Sequence, residues 1–167
     1  MSLKSSIKTV LTLGKGVASG LPEAASNMDP IEVFGDWLGA AEESGILLPE
    51  SVALATATGD GRPSVRMFVL KGVDERGFGF YTNYGSRKAT ELDANPNAAL
   101  CFHWAVLHRQ VRVAGAVARV SDDESAAYFV CRPDGTRVGA LASTHSHPLR
   151  GRVPLVPRLS AAHPTLH

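Results

Sequence analysis

A chain of 167 residues, 44% hydrophobic and 20% charged, has the composition of one globular domain and not that of a disordered or fibrous chain. Its 17 basic and 16 acidic side chains leave a formal charge of +1, which excludes the basic excess of a general nucleic-acid or membrane-surface binder. An anionic ligand must therefore be met by a local cluster of cations.

Residues 1–28 carry early lysines, with Lys8 and Lys15 interrupting a mild apolar stretch. That pattern makes a poor signal peptide and is expected to be a flexible N-terminal arm. No run of 18 apolar residues occurs, so no membrane-spanning helix is expected. Cys101 and Cys131 stand in unrelated contexts with no CxxC pair. Zinc of the usual ligand spacing is thus not expected, and two reduced thiols suit a cytoplasmic protein.

The first predicted element opens at Asp29, an N-cap type, with Pro30 at the first helical position. Phe34, Trp37, Leu38 and Ala41 recur at helical spacing, and Gly45 can end the helix. Val52 to Ala57 reads as a strand, and TGDGRP at 58–63 as a hairpin turn. Ser64 to Lys71 alternates, with Val65, Met67 and Val69 on one face and Arg66, Phe68 and Leu70 on the other. Residues 74–77 form a turn and 78–82 another strand, so three consecutive strands are expected as an antiparallel meander. Ser86 can N-cap a helix running to Ala94, where Asn95 and Pro96 stop it. Strands are expected over 98–104 and 110–120. Ser121 and Glu124 form a capping box for a helix ending near Cys131. Pro133 and Gly135 break it, and a short helix follows over 136–142. From His147, four prolines punctuate an aperiodic segment, expected to be an irregular tail over 147–167. The predicted class is α+β, mainly antiparallel β, built as a small barrel with peripheral helices.

Several groups could carry chemistry. Arg66 offers a planar fork for an anion and Lys71 a point charge; five residues apart on a strand they face opposite ways. They are either rim charges or ligands of two different anions. Residues 81–88 read YTNYGSRK. Ser86 at a helix start, followed by Arg87 and Lys88, supplies free N–H groups, a hydroxyl and two cations, which suits a phosphate. The same residues also fit an ordinary N-cap with surface cations. Tyr81 and Thr82 could add stacking or polar contacts. Tyr128, Arg132 and Thr136, four residues apart, share a face if the helix continues, and would suit an anion. Tyr128 equally fits a core position. Gln110 can donate to and accept from the edge of a heteroaromatic ring. His145 and His147 lack acidic or thiolate neighbours, and no metal site is expected there. Asp122, Asp123 and Glu124 read as first-turn charges favoured by the helix dipole.

The joint occurrence of RMFVLKG, FYTNYGSRK, RQVRV and YFVCRPDGT resembles the pyridoxamine (pyridoxine) 5′-phosphate oxidase family. The resemblance covers about residues 29 to 146 and implies a homodimeric split β-barrel binding flavin mononucleotide (FMN). It implies FMN contacts from the Arg66–Lys71 segment (Arg66, Met67, Phe68, Val69, Leu70 and Lys71). Further contacts are implied from Tyr81, Thr82, Ser86, Arg87 and Lys88, from Gln110, and from the His145–Ser146 pair. Lys71, Tyr128, Arg132 and Thr136 are implied to hold the phosphate of pyridoxamine or pyridoxine 5′-phosphate. The implied reaction passes a hydride from the substrate C4′ carbon to the flavin, which dioxygen reoxidises, giving pyridoxal 5′-phosphate and hydrogen peroxide. The flavin does the redox chemistry and the protein positions the reactants.

The sequence departs from the family pattern in three places. GALAS stands where the family usually has GAWAS, placing Leu141 at the aromatic position. His145–Ser146 replaces a usual Gln–Ser. A C-terminal strand pair with a flavin-contacting Trp and an Arg-x-His segment has no counterpart before His167. Two alternatives follow: a flavin-binding paralogue without oxidase activity, and an FMN oxidoreductase acting on another substrate.

Overall fold

A computed structural model of the chain describes residues 28–143 and 145–148. The arm expected over residues 1–28 lies outside it apart from Met28, as does most of the tail expected over 147–167. Among the described residues, helices are combined with antiparallel sheet. The strands form a four-stranded sheet in the order β2-β1-β5-β6 and a two-stranded sheet, β3-β4, with no closed barrel among the described residues. These strands are β1 (Ser51–Ala57), β2 (Pro63–Val69), β3 (Gly72–Asp74), β4 (Gly77–Gly79), β5 (Asn97–Trp104) and β6 (Arg109–Ala116). The helices are α1 (Pro30–Glu43), α2 (Arg87–Ala94), α3 (Asp122–Cys131) and α4 (Asp134–Ala142), with a 3-10 turn at Ala105–Leu107.

The chain divides into two compact units. Among the described residues, one holds Met28–Ala55, Val65–Phe80 and Ala98–Gly115; the other holds Thr56–Ser64, Tyr81–Asn97 and the residues from Ala116 on.

The first unit contains the apolar core. Helix α1 starts as its sequence dictates: the Asp29 carboxylate accepts from the Ile31 N–H at 2.8 Å and Pro30 opens the first turn. It closes at Ser44, and Gly45 follows in the left-handed region at φ 79°, a conformation that glycine adopts without a Cβ penalty. Phe34 and Ala41 turn inward from α1. Phe34 meets Phe78 and Phe102 edge-to-face, each at 4.9 Å between ring centroids, an arrangement aromatic quadrupoles favour. Val52, Leu54, Leu70, Leu100, Phe102, Trp104 and Leu107 complete the buried cluster. The indole N–H of Trp104 donates to the Pro49 carbonyl at 2.8 Å, so its burial leaves no orphaned donor.

Strand β2 alternates as expected. Val65 and Met67 are 68% and 66% exposed, while Arg66 and Phe68 are half-buried and Leu70 is buried. The predicted meander is corrected. The stretch expected as its third strand is β4, which pairs not with β2 but with β3, Gly72 opposite Gly79 and Asp74 opposite Gly77. A tight turn with Gly77 at φ 121° folds the segment back on itself. The second neighbour of β1 is instead β5. The strand expected to reach Val120 ends at Ala116, and the Val117 N–H donates to the Pro96 carbonyl at 2.8 Å.

Candidate functional site

In the second unit, a bend carries the chain into α2. The Asn83 side-chain oxygen accepts from the Gly85 N–H at 2.7 Å, and its carbonyl accepts from the Ser86 N–H at 3.1 Å. Ser86 is the N-cap by backbone geometry, but its hydroxyl makes no capping bond. That hydroxyl, fully buried, accepts from the Lys88 ammonium at 3.1 Å. Lys88 also donates to the Thr82 hydroxyl at 3.0 Å and is itself buried. The ordinary-cap reading of Ser86 is thereby corrected: a buried ammonium, costly to desolvate, takes the oxygen that a cap would use. Hydroxyls that accept from Lys88 retain their own hydrogens for donation elsewhere.

Arg87, on a side chain 60% exposed, donates through Nε to Glu91 Oε1 at 2.7 Å. Glu91 is buried. Its Oε2 accepts from Ser64 at 2.6 Å and from Thr56. Three donors surround this carboxylate, as a buried charge requires. Sequence reading did not single out Glu91, Thr56 or Ser64. The four-residue Arg87–Glu91 spacing was a local signal for Glu91 alone.

The third cluster is also in the second unit. Helix α3 begins at Ser121, whose hydroxyl accepts from the Glu124 N–H at 3.1 Å, and ends at Cys131. Arg132 is extended at φ −76° and ψ 147°, as a residue before proline should be. Tyr128, Arg132 and Thr136 therefore do not share one helical face. They still associate: the Arg132 guanidinium lies 5.8 Å from the Tyr128 ring centroid and donates to the Thr136 carbonyl at 3.4 Å. Tyr81 stacks on Tyr128 with centroids 3.7 Å apart and planes within 4°. The stack joins one tyrosine from the expected flavin group to one from the expected phosphate group.

The remaining residues of interest in the first unit lie on β2 and β6. Arg66 donates from Nη1 to the Leu54 carbonyl at 3.2 Å. Lys71 is exposed just past β2, and its backbone N–H donates to Gly79 at 3.0 Å. Val69 is half-buried near the end of β2, and Gln110 is exposed on β6. In the second unit, His145 and Ser146 are exposed, with Ser146 at φ 65°, and Leu141 is 50% exposed.

A phosphorylated flavin needs hydrogen-bond donors and positive charge at its phosphate. A buried ammonium and two hydroxyls with hydrogens to donate, with Arg87 next in the chain, offer donors of the kind a phosphate takes, and the Glu91 carboxylate bonded to Arg87 is the acceptor among them. They fit the group.

A sequence profile described as pyridoxamine 5′-phosphate oxidase matches residues 40–159. The chain belongs to the pyridoxamine 5′-phosphate oxidase family. That family comprises oxidoreductases, with FMN as the cofactor. The chain is 50% identical over 159 residues to the pyridoxine/pyridoxamine 5′-phosphate oxidase of Psychromonas ingrahamii, covering 95% of this chain and 73% of that protein. It is 52% identical over 142 residues to the protein of the same name from Rubrobacter xylanophilus, covering 85% and 65%. The crystal structure of PhzG from Burkholderia lata in complex with tetrahydrophenazine-1-carboxylic acid superimposes with a TM-score of 0.82. It is 28% identical and covers 87% of this chain and 73% of that one. A pyridoxamine 5′-phosphate oxidase-related, FMN-binding protein from Nostoc punctiforme shares the fold at 20% identity, with a TM-score of 0.62 and coverage of 78% and 73%.

Proposed function

We propose that the chain is an FMN-dependent oxidase converting pyridoxamine or pyridoxine 5′-phosphate to pyridoxal 5′-phosphate with dioxygen as acceptor. The observation that carries this reading is the buried Lys88 ammonium held between the Ser86 and Thr82 hydroxyls, with Arg87 next to it in sequence. In this reading Ser86, Arg87, Lys88, Thr82 and Arg66 hold the flavin phosphate. Met67, Phe68, Val69, Leu70, Tyr81, Gln110, His145 and Ser146 border the rest of the flavin. Lys71, Tyr128, Arg132 and Thr136 hold the substrate phosphate. Arg132 would grip that phosphate while packed on Tyr128, so the substrate is fixed at one end and its reacting carbon is restricted in position. FMN, when bound, supplies the hydride acceptor.

The same reading assigns residues 29–146 to one FMN-binding domain, takes the fold as a split barrel and makes the molecule a homodimer. Exposed Val65 and Met67 on edge strand β2 support the dimer, since adjacent apolar side chains on an open face favour burial against a partner. A cytoplasmic location fits two unpaired cysteines, Cys101 and Cys131. Among the described residues no helix is long and apolar enough to cross a membrane.

A second reading is an FMN oxidoreductase acting on another substrate. Its support is the likeness to PhzG, crystallised with a tricyclic acid, together with Leu141 at the position of the family aromatic. Purified protein loaded with FMN separates the readings. Formation of pyridoxal 5′-phosphate and peroxide on adding pyridoxine 5′-phosphate is expected. Bound flavin without turnover would favour the second reading or a flavin-binding protein lacking oxidase activity. Failure to bind FMN would sink all of them.

A further inference from the structure

Arg87 has the ligand-facing task in the proposed phosphate group, yet its side chain is 60% exposed. A long exposed arginine has many rotamers, and ordering one costs conformational entropy each time a ligand binds. Glu91 counters this cost. Its carboxylate is 3% exposed, is fixed through Oε2 by Ser64 at 2.6 Å and by Thr56, and accepts Arg87 Nε through Oε1 at 2.7 Å. Thr56 and Ser64 flank the hairpin between β1 and β2, so the carboxylate is anchored from outside its own helix. The bond to Glu91 uses Nε alone. The two terminal guanidinium nitrogens, the pair that suits bidentate phosphate binding, are left outside it.

We propose that Glu91 is a positioning residue for the flavin phosphate, acting through Arg87, with Thr56 and Ser64 as its anchors. The proposal rests on the reading of Arg87 as a phosphate ligand. Two effects oppose each other here. The Glu91 charge repels a nearby phosphate, whereas its hydrogen bond holds Arg87 in place. Positioning dominates if the bond is worth more than the residual repulsion, which protein and solvent screen.

The test measures dissociation constants of FMN and of riboflavin, which lacks the phosphate, by quenching of flavin fluorescence. The variants are R87A, E91A, E91Q and the E91A/R87A double variant. Loss of one hydrogen bond to a charged group corresponds to about a tenfold change in affinity. E91A is expected to weaken FMN by about that factor and to leave riboflavin unchanged. E91Q, whose amide oxygen still accepts from Arg87, is expected to stay within about threefold of wild type for FMN. In the R87A background E91A is expected to add nothing, because its partner is already gone. If E91A yields too little folded protein, E91D withdraws the carboxylate by one methylene while keeping its charge, with the same expected selectivity and non-additivity. Equal losses for FMN and riboflavin, or losses that add to those of R87A, would show Glu91 serving only the fold and would overturn the proposal. Unchanged or tighter FMN binding in E91A would show repulsion winning and would overturn it too. Unchanged FMN binding in R87A itself would overturn the reading of Arg87 on which the proposal rests, a result distinct from a failure of Glu91 alone.

Discussion

At the scale of single residues, the second unit separates cations by environment. Lys88 is buried among hydroxyls, Arg87 is exposed but held by Glu91, and Arg132 lies over an aromatic face. These environments give the three side chains different expected roles. Arg132→Ala should raise KM for pyridoxine 5′-phosphate by tenfold or more, since a bond to a charged group is lost, while the FMN dissociation constant stays within about twofold. Equal losses in a flavin titration and in steady-state kinetics would contradict the division into two anion groups. Tyr128→Ala should disturb both sites, because it removes the ring on which Tyr81 stacks. Stacked pairs contribute about 0.5–1.5 kcal/mol beyond area burial, so the expected loss in FMN affinity is a few-fold. An unchanged affinity in the same titration would uncouple the stack from the flavin group.

At the scale of elements, helix starts were legible because capping is local chemistry. Asp29 with Pro30 and Ser121 with Glu124 act within three residues of chain, and the helices begin there. Asp29→Ala should cost about 1 kcal/mol of stability in a denaturant titration. Phe102 lies at the centre of the aromatic cluster with Phe34, Phe78 and Trp104. Phe102→Ala should therefore cost about 3–5 kcal/mol and lower the thermal midpoint by roughly 10 °C. A thermal midpoint close to wild type would mean the cluster carries little of the fold. Strand partners were far less legible. The alternation along β2 separated Val65 and Met67 from Arg66 and Phe68, as the structure does, but period-two patterning states neither which face is outward nor which strand lies alongside. The expected pairing of β4 with β2 failed because the short strand Gly72–Asp74, too brief to show a period, lies between them and takes Gly77–Gly79 as its partner. Residues in contact across long stretches of chain, such as Tyr81 with Tyr128 or Glu91 with Thr56, left no mark in local spacing.

At the scale of the whole molecule, family membership rests on a profile match over residues 40–159 and on relatives about half identical in sequence. The motif groups made that membership legible in the sequence, because several short patterns had to occur together and in order. The proposed homodimer has less behind it: an outward apolar pair on β2 supports it, and if it forms there Met67→Asp is expected to shift the molecule toward monomer in sedimentation experiments without unfolding it. An unchanged dimer would move the interface elsewhere, and a wild-type monomer would remove it. Oxidation of a B6 phosphate at a bound flavin is the central expectation for this protein. The most direct measurement mixes FMN-loaded protein with pyridoxine 5′-phosphate in the absence of oxygen and follows the visible flavin band. The band is predicted to bleach with formation of pyridoxal 5′-phosphate and to return when oxygen is admitted. A loaded protein whose flavin band stays unchanged at saturating substrate would contradict it.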